Sequence, residues 1–409
     1  MLNNRKNQMS TICIIALILQ NISIFFSDIV HYISIIQFVS LALYLLYMIM
    51  NRINLRMYKV LTMWLIYLLM EFLNLIIGGN ISFILSFLLV NIVMLLTLSI
   101  ENLGILEYKI IKCFSMCHLI CSIIVYFLPH TLYDGVFAIL LGSNATSNFS
   151  WRVVSNMNAG ITTQPGVNAI YLSLLIMIYA IEIIERKGRP IFNMFILLLS
   201  FLMIISTGKR SAIIITLLVI CIYFVWVRFD KLRYITTSSF LKGTLIVYLV
   251  IAFGYWVVNR STAIKTLISK VNKLAEMGDI SNGRFEIWKF AIDKWYENPI
   301  LGIGLKKIQS IIELDVHNTY IQILAETGLI GFVIFIIALV RILCYSYKKV
   351  KNNSAIYYKD SKCATGFGFM LIVFLIIYGF LGNTFIDYLP VMLFSVAVLM
   401  NFNSKEKRI

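Results

Sequence analysis

Cations and one histidine placed at the entrances of apolar helices are the groups in this sequence best suited to chemistry. His317 stands in Asp315-Val-His317-Asn318, directly before an apolar run, and Asp315 or Asn318 would cap the helix that begins there. A helix N-terminus disfavours an imidazolium, so the ring is expected to be neutral near pH 7 and able to accept a proton. Arg284 opens a second predicted helix, roughly 284–297, with Ser281 or Asn282 as its cap and Pro299 as its stop. Free backbone N–H groups and the positive dipole end favour an anion at that position, and an arginine there costs something by repulsion unless a negative ligand is present. The competing partner is a salt bridge to Asp279 or Glu286. A third entrance, Ser206-Thr207-Gly208-Lys209-Arg210-Ser211, brings two cations and hydroxyl donors to another apolar run. It lacks the glycine-rich spacing of a P-loop. Taken with Arg284 and Arg152, Lys209 and Arg210 would make a cradle for a diphosphate. Asn318, Gln322 and Glu326 recur at i, i+4 and i+8, a polar stripe expected of a helix that lines a wet cavity.

The elements that must position these groups follow from composition. Of 409 residues, 60% are apolar and 13% charged, and the mean hydropathy is +0.88. That excludes a disordered chain and an ordinary soluble domain, which carries about twice the charge. The fold class expected is an all-α polytopic integral membrane protein of about twelve spans. The runs are Ile12–Phe26, Tyr32–Met50, Val60–Ile77, Ile81–Ile100, Ile110–Leu128, Ala169–Ile184, Ile191–Ile205, Ala212–Val227, Leu241–Val258, Tyr320–Leu343, Gly366–Leu381 and Tyr388–Phe402. This divides the chain into residues 1–258 with nine spans, a large outer loop over 259–319, and residues 320–409 with three spans and a tail.

The net charge of +16 does not call for nucleic acid. Most of the 35 basic residues fall in loops that share one side with both termini, which the positive-inside rule assigns to the cytoplasm. The exceptions, Arg152, Lys209, Arg210 and the basic residues between Val258 and Tyr320, fall on the outer side and suggest an anionic partner there. Within the outer loop, Ala263–Ala275 reads as an amphipathic helix lying on membrane lipids. Phe285, Trp288, Ile292 and Trp295 form one face of the next helix. Seven cysteines are an odd number for a disulfide framework. Cys113, Cys117 and Cys121 share a helix face from which His118 points away, so no metal site is expected.

The stretch Asn282-Gly-Arg284-Phe-Glu-Ile-Trp288, then Glu297-Asn-Pro299-Ile-Leu-Gly302-Ile-Gly304, then His317-Asn318 and Glu326-Thr-Gly328-Leu-Ile-Gly331, resembles the O-antigen polymerase and ligase superfamily of Wzy-type membrane proteins. Ser206 to Ser211 is similar to that family's Arg-containing turn, except that Lys209-Arg210 replaces the more usual Ser-Arg. Arg152 through Gln164-Pro-Gly-Val-Asn168 resembles its outer segment. The resemblance implies a GT-C-like membrane glycosyltransferase acting on oligosaccharide linked to undecaprenyl diphosphate, at the outer face of the plasma membrane. The product would be O-antigen, as in lipopolysaccharide, or capsular polysaccharide. It also implies roles: His317 as base for the acceptor hydroxyl, with Asp315 second, and Arg210 and Arg284 on the departing diphosphate. Arg152, Lys209, Trp288, Asn318, Gln322 and Glu326 would contact substrate, and a chain-length regulator is a further partner the resemblance admits. No cofactor or metal is implied. The alternatives are an O-antigen ligase, with a lipid or protein acceptor, and a lipid-linked oligosaccharide flippase or polysaccharide transporter. Transport is disfavoured by the scarcity of acidic residues within the spans, the absence of an internal repeat and the asymmetric outer loop.

Overall fold

The computed structural model describes residues 2–27, 33–55, 58–78, 81–100, 103–228, 283–352 and 359–402. Every regular element in these segments is a helix. The principal ones are α1 (Leu2–Phe25), α2 (Ile33–Met50), α3 (Thr62–Gly78), α4 (Ile81–Ser99), α5 (Leu103–Phe127), α6 (Ser143–Ser155), α7 (Pro165–Ile184), α8 (Pro190–Ser206), α9 (Arg210–Arg228), α10 (Arg284–Glu297), α11 (Lys307–Ile312), α12 (Thr319–Asn352), α13 (Lys359–Tyr378) and α14 (Tyr388–Phe402). Each expected apolar run except Leu241–Val258 coincides with one of them. That run, the amphipathic Ala263–Ala275, Asp279 and the caps Ser281 and Asn282 lie outside the described residues. Among the described residues, α2, α5, α7, α12 and α13 are long and apolar enough to cross a bilayer, and shorter apolar helices accompany them. The chain is an all-α polytopic membrane protein.

The chain forms two compact units, and it passes from one to the other within α5, α7 and α8 and again between Gly283 and Arg284. The first comprises residues 1–117, 177–194 and 284–409. In it α1 packs on α2, α12 on α3 and α13, α14 on α4 and α13, and α10 on α12. Nearly every residue of α14, and of α13 up to Leu375, is buried, as expected of helices that are apolar all round. Here α5 starts at Leu103 rather than Ile110, which brings Glu107 into a helix that the hydropathy pattern began after it. Its carboxylate is fully buried and accepts both oxygens' bonds from Asn21 Nδ2, at 3.0 and 2.9 Å. Basic residues that the charge pattern assigns to the inner side also make structure. Glu182 accepts Lys112 Nζ at 2.7 and 2.8 Å and the Tyr108 hydroxyl at 3.1 Å. Lys187 bridges Glu182 to Asp360 at 3.3 and 3.0 Å. With cations and a hydroxyl around it, the buried carboxylate is fully compensated.

The element that organises the functional region is α12, which is interrupted at Gly328 (φ 67°, ψ −172°), a conformation that only glycine adopts at low cost. A continuous helix would bond Leu329 N–H to the Ala325 carbonyl and Ile330 N–H to the Glu326 carbonyl. Instead, Leu329 and Ile330 donate to the carbonyls of Pro299 and Ile300, at 2.9 and 3.3 Å. The released carbonyls of Ala325 and Glu326 accept from Ile303 and Gly304, at 3.1 and 2.9 Å. Two helical bonds become four bonds to the Pro-Ile-Leu-Gly-Ile-Gly loop, so the break leaves no orphan groups among these four. Gly302 and Gly328 face each other so closely that a Cβ on either would overlap the opposite backbone. Gly328→Ala is therefore expected to cost at least about 1–3 kcal/mol from backbone conformation alone, with the clash added. A drop of several degrees in the unfolding temperature of the detergent-solubilised protein checks this; an unchanged midpoint would contradict the packing.

Candidate active site

In the first unit, α10 holds Arg284 and the His317 segment on one frame. Arg284 is its first residue, preceded by Gly283 at φ 81°. One turn on, Trp288 donates its indole N–H to the Val316 carbonyl at 2.9 Å, the residue before His317. Trp288, Ile287, Phe290 and Trp295 pack with buried Ala291 against Ile308, Val316 and Ala325. The packed face is thus centred on Ala291, while Phe285, expected on that face, is 63% exposed. The Arg284 guanidinium reaches the Leu381 carbonyl at 3.4 Å, a long bond, and among the described residues it makes no ion pair with Glu286. Trp288, expected to contact substrate, ties down the loop that carries His317.

Asn318, not Asp315, caps α12: its Oδ1 accepts the N–H groups of Tyr320 and Ile321 at 3.1 and 3.2 Å. Thr319 ties the same end to the Gly382 carbonyl through its N–H and its hydroxyl, at 3.1 and 2.9 Å. His317 precedes the cap, exposed and in the left-handed region at φ 53°. A non-glycine residue is uncommon there and held only by its surroundings; here the Trp288 bond before it and the Asn318 cap after it supply the constraint. The polar stripe does not face a wet cavity. Gln322 and Glu326 are fully buried, with Gln322 Nε2 donating to Glu326 Oε1 at 3.1 Å and Lys306 N–H donating to Glu326 Oε2 at 2.9 Å. Glu326 holds the Gly302–Lys306 loop and Gln322 supports Glu326, so these two residues serve the frame rather than an open surface.

Lys306 and Asp387 are additions that sequence patterns do not single out. Lys306 Nζ pairs with Asp387 Oδ1 at 3.2 Å, and Asp387 also interacts electrostatically with Asp315 and His317. Tyr378 feels both Arg284 and Asp387. Arg284, Asp315, His317, Lys306 and Asp387 are thus one charged neighbourhood. Burial raises the Asp387 carboxyl above the usual carboxylate range, against the lowering effect of Lys306. A carboxyl with a raised folded pKa takes up a proton on folding wherever pH lies between its unfolded and folded values. Its contribution to stability is then full below the unfolded value and is lost as pH rises through the folded one. Asp387→Asn is expected to remove that loss. The unfolding temperature of the variant, relative to the parent, should rise with pH across that window and then level off. A pH-independent difference would refute the assignment.

The second unit comprises residues 118–176 and 195–283 and carries the remaining cations. Arg152, in the last turn of α6, bonds Asn156 Oδ1 and, at 3.1 Å, the Tyr126 carbonyl, and its guanidinium stacks 5.0 Å from the Tyr126 ring centroid. Lys209 precedes α9 and Arg210 is its exposed first residue. Their turn is fixed by Gly208 at φ 70°, against Met157, and by Asn158 N–H on the Ser206 carbonyl at 2.9 Å. Beneath lies a buried amide network: Asn158 Nδ2 donates to the Ser122 carbonyl at 2.8 Å, and Asn168 Nδ2 to the Asn158 carbonyl at 3.2 Å and to Ser122 Oγ at 3.0 Å. Asn168 was legible only as the end of an outer segment, and Asn158 not at all.

Residues 195–336 match a family model described as O-antigen ligase. The match covers about a third of the chain and includes Arg210, Arg284, His317 and the Gly328 break; Arg152 and Asp387 fall outside it. No curated protein matches the chain. Over residues 195–336 this chain is similar to the O-antigen ligase family model, which supports the resemblance to the O-antigen polymerase and ligase superfamily.

Proposed function

We propose that this protein is a plasma-membrane polysaccharide polymerase that transfers a growing glycan from undecaprenyl diphosphate to a sugar hydroxyl of another lipid-linked repeat unit. The acceptor oxygen attacks the anomeric carbon, the bond from that carbon to the diphosphate oxygen breaks, and the electron pair leaves with the diphosphate. His317 takes the acceptor proton, with Asp387 and Asp315 in its field. Arg284 neutralises charge on the departing diphosphate. In the second unit, Arg210 and Lys209 are candidates for the lipid diphosphate and Arg152 for diphosphate or an anionic sugar. Gln322, Glu326 and Trp288 position the loops. The transfer takes place at the outer face, with both termini cytoplasmic.

The observation that carries this reading is that α10 bears Arg284 at its first residue and, one turn later, Trp288 bonded to Val316 beside His317. A base and an anion-binding guanidinium are held by one short rigid element, which suits transfer from a phosphorylated donor. The test is whether purified protein converts lipid-linked repeat units into a ladder of longer glycans. No ladder with any repeat unit, but transfer to a separate lipid or protein acceptor, would establish the ligase instead. The description of the matched family model favours keeping that second reading in the assay.

A further inference from the structure

We propose that the Pro299–Gly304 loop and the adjoining end of α10 lie at the edge of the bilayer hydrocarbon without crossing it, with phospholipid acyl chains covering the side chains of Tyr296, Ile300 and Leu301. The argument begins with α12. Beyond the break, its exposed apolar residues Leu329, Ile330, Val333, Ile337 and Val340 fall within an arc of about 100° on a helix of 3.6 residues per turn. Its buried residues Gly331, Phe335, Ala338, Leu339 and Ile342 occupy the opposite arc. In a membrane-spanning helix, such a stripe is the face turned to lipid.

Depth follows from length. Arg341 and Lys348 mark the basic end of α12, where Arg341 donates to the Lys59 carbonyl. Counting back about 20 residues from them puts the other edge of the hydrocarbon between roughly residues 321 and 328. Leu329 and Ile330 lie at or inside that edge, and the loop is fastened to them by the Pro299 and Ile300 carbonyls. Ile300 and Leu301 are 62% and 63% exposed, and Tyr296 68%. They continue the lipid-facing stripe of α12 onto a second segment.

Backbone pairing sets the depth at the edge of the hydrocarbon, because the N–H groups of Ile300 and Leu301 and the Leu301 carbonyl have no backbone partner among the described residues and need headgroup-level water. Irregular backbone survives in hydrocarbon only where its polar groups are satisfied internally. Here Pro299 and Ile300 supply carbonyls to α12, and Gly302, Ile303 and Gly304 donate to the carbonyls of Asn298, Ala325 and Glu326. The Trp295 indole N–H bonds the Pro299 carbonyl at 3.0 Å beside Tyr296, the pairing of an apolar ring and a polar tip typical of a membrane interface. Anchored this way at one end, α10 would carry Arg284 at headgroup level, where a lipid-borne diphosphate resides.

The test uses Leu301→Cys in full-length protein whose exposed native cysteines are replaced by serine, spin-labelled and reconstituted in phosphatidylcholine and phosphatidylglycerol nanodiscs. Ile337→Cys serves as lipid reference and Lys289→Cys as water reference. Oxygen accessibility exceeding that of a water-soluble nickel chelate, as at residue 337, is the expected result. Preferential access of the nickel chelate, as at residue 289, would overturn the proposal. So would inaccessibility to both relaxants, which means that protein, such as a second copy, covers the patch. Ile300→Cys gives the same readout should Leu301→Cys fail to fold. Because the measurement reads depth and not turnover, its outcome is separate from that of the ladder assay.

Discussion

His317→Ala is expected to slow glycan chain extension by about 10²–10⁴-fold, the usual worth of a positioned general base, with the protein still inserted and folded. The acceptor is a sugar hydroxyl, a poor nucleophile until its proton is taken, and His317 is exposed at the start of α12 beside Arg284's frame. Asp315 is the nearest competitor, half-buried two residues away. The left-handed backbone at His317 makes the control informative. Alanine there gains strain, whereas asparagine accepts that conformation readily. His317→Asn should therefore fold at least as well as His317→Ala and be as inactive. If the asparagine variant extends chains at near-parental rate while the alanine variant does not, the residue serves backbone geometry and the base must be sought at Asp315 or Asp387.

How much of this was readable beforehand depended on how local each feature is. Helix positions follow from apolar runs, because a membrane span is specified by its own twenty residues. The cap at Asn318 and the cation at the head of α10 are likewise written within four residues of sequence. What escaped are features that two distant segments make jointly. Gln322 and Glu326 look like a pore-lining stripe until Lys306 N–H, twenty residues earlier, is seen to use the Glu326 carboxylate. Asp387 sits between two apolar runs with nothing near it in sequence; its meaning comes from Lys306, 81 positions away. Gly328 lies inside an expected apolar span, and neither the break it makes nor its contact with Gly302 is legible in the sequence. Polar residues in an apolar chain therefore flag importance without saying whether they face substrate or support the frame.

That distinction decides how Arg284 should be probed. Its bond to the Leu381 carbonyl is long and exposed, so it contributes little to the fold. As a cation in the first turn it opposes the helix macrodipole. Arg284→Ala should leave the unfolding temperature unchanged or slightly higher, while lowering kcat/KM for the lipid diphosphate donor by about 10²–10³, the usual cost of removing one preorganised charge-stabilising donor. Arg284→Lys keeps the charge but not the planar two-pronged fork, and should recover only part of the loss. A separate readout needs no turnover. Undecaprenyl diphosphate should raise the unfolding temperature of the parent, by mass action on the folded state, more than that of Arg284→Ala. Equal ligand stabilisation in parent and variant would place the diphosphate elsewhere, with Arg210 and Lys209 then its remaining candidates. A fall in activity matched by a fall in stability would instead make Arg284 a structural residue, and the charged neighbourhood of His317 would need another partner for the leaving group.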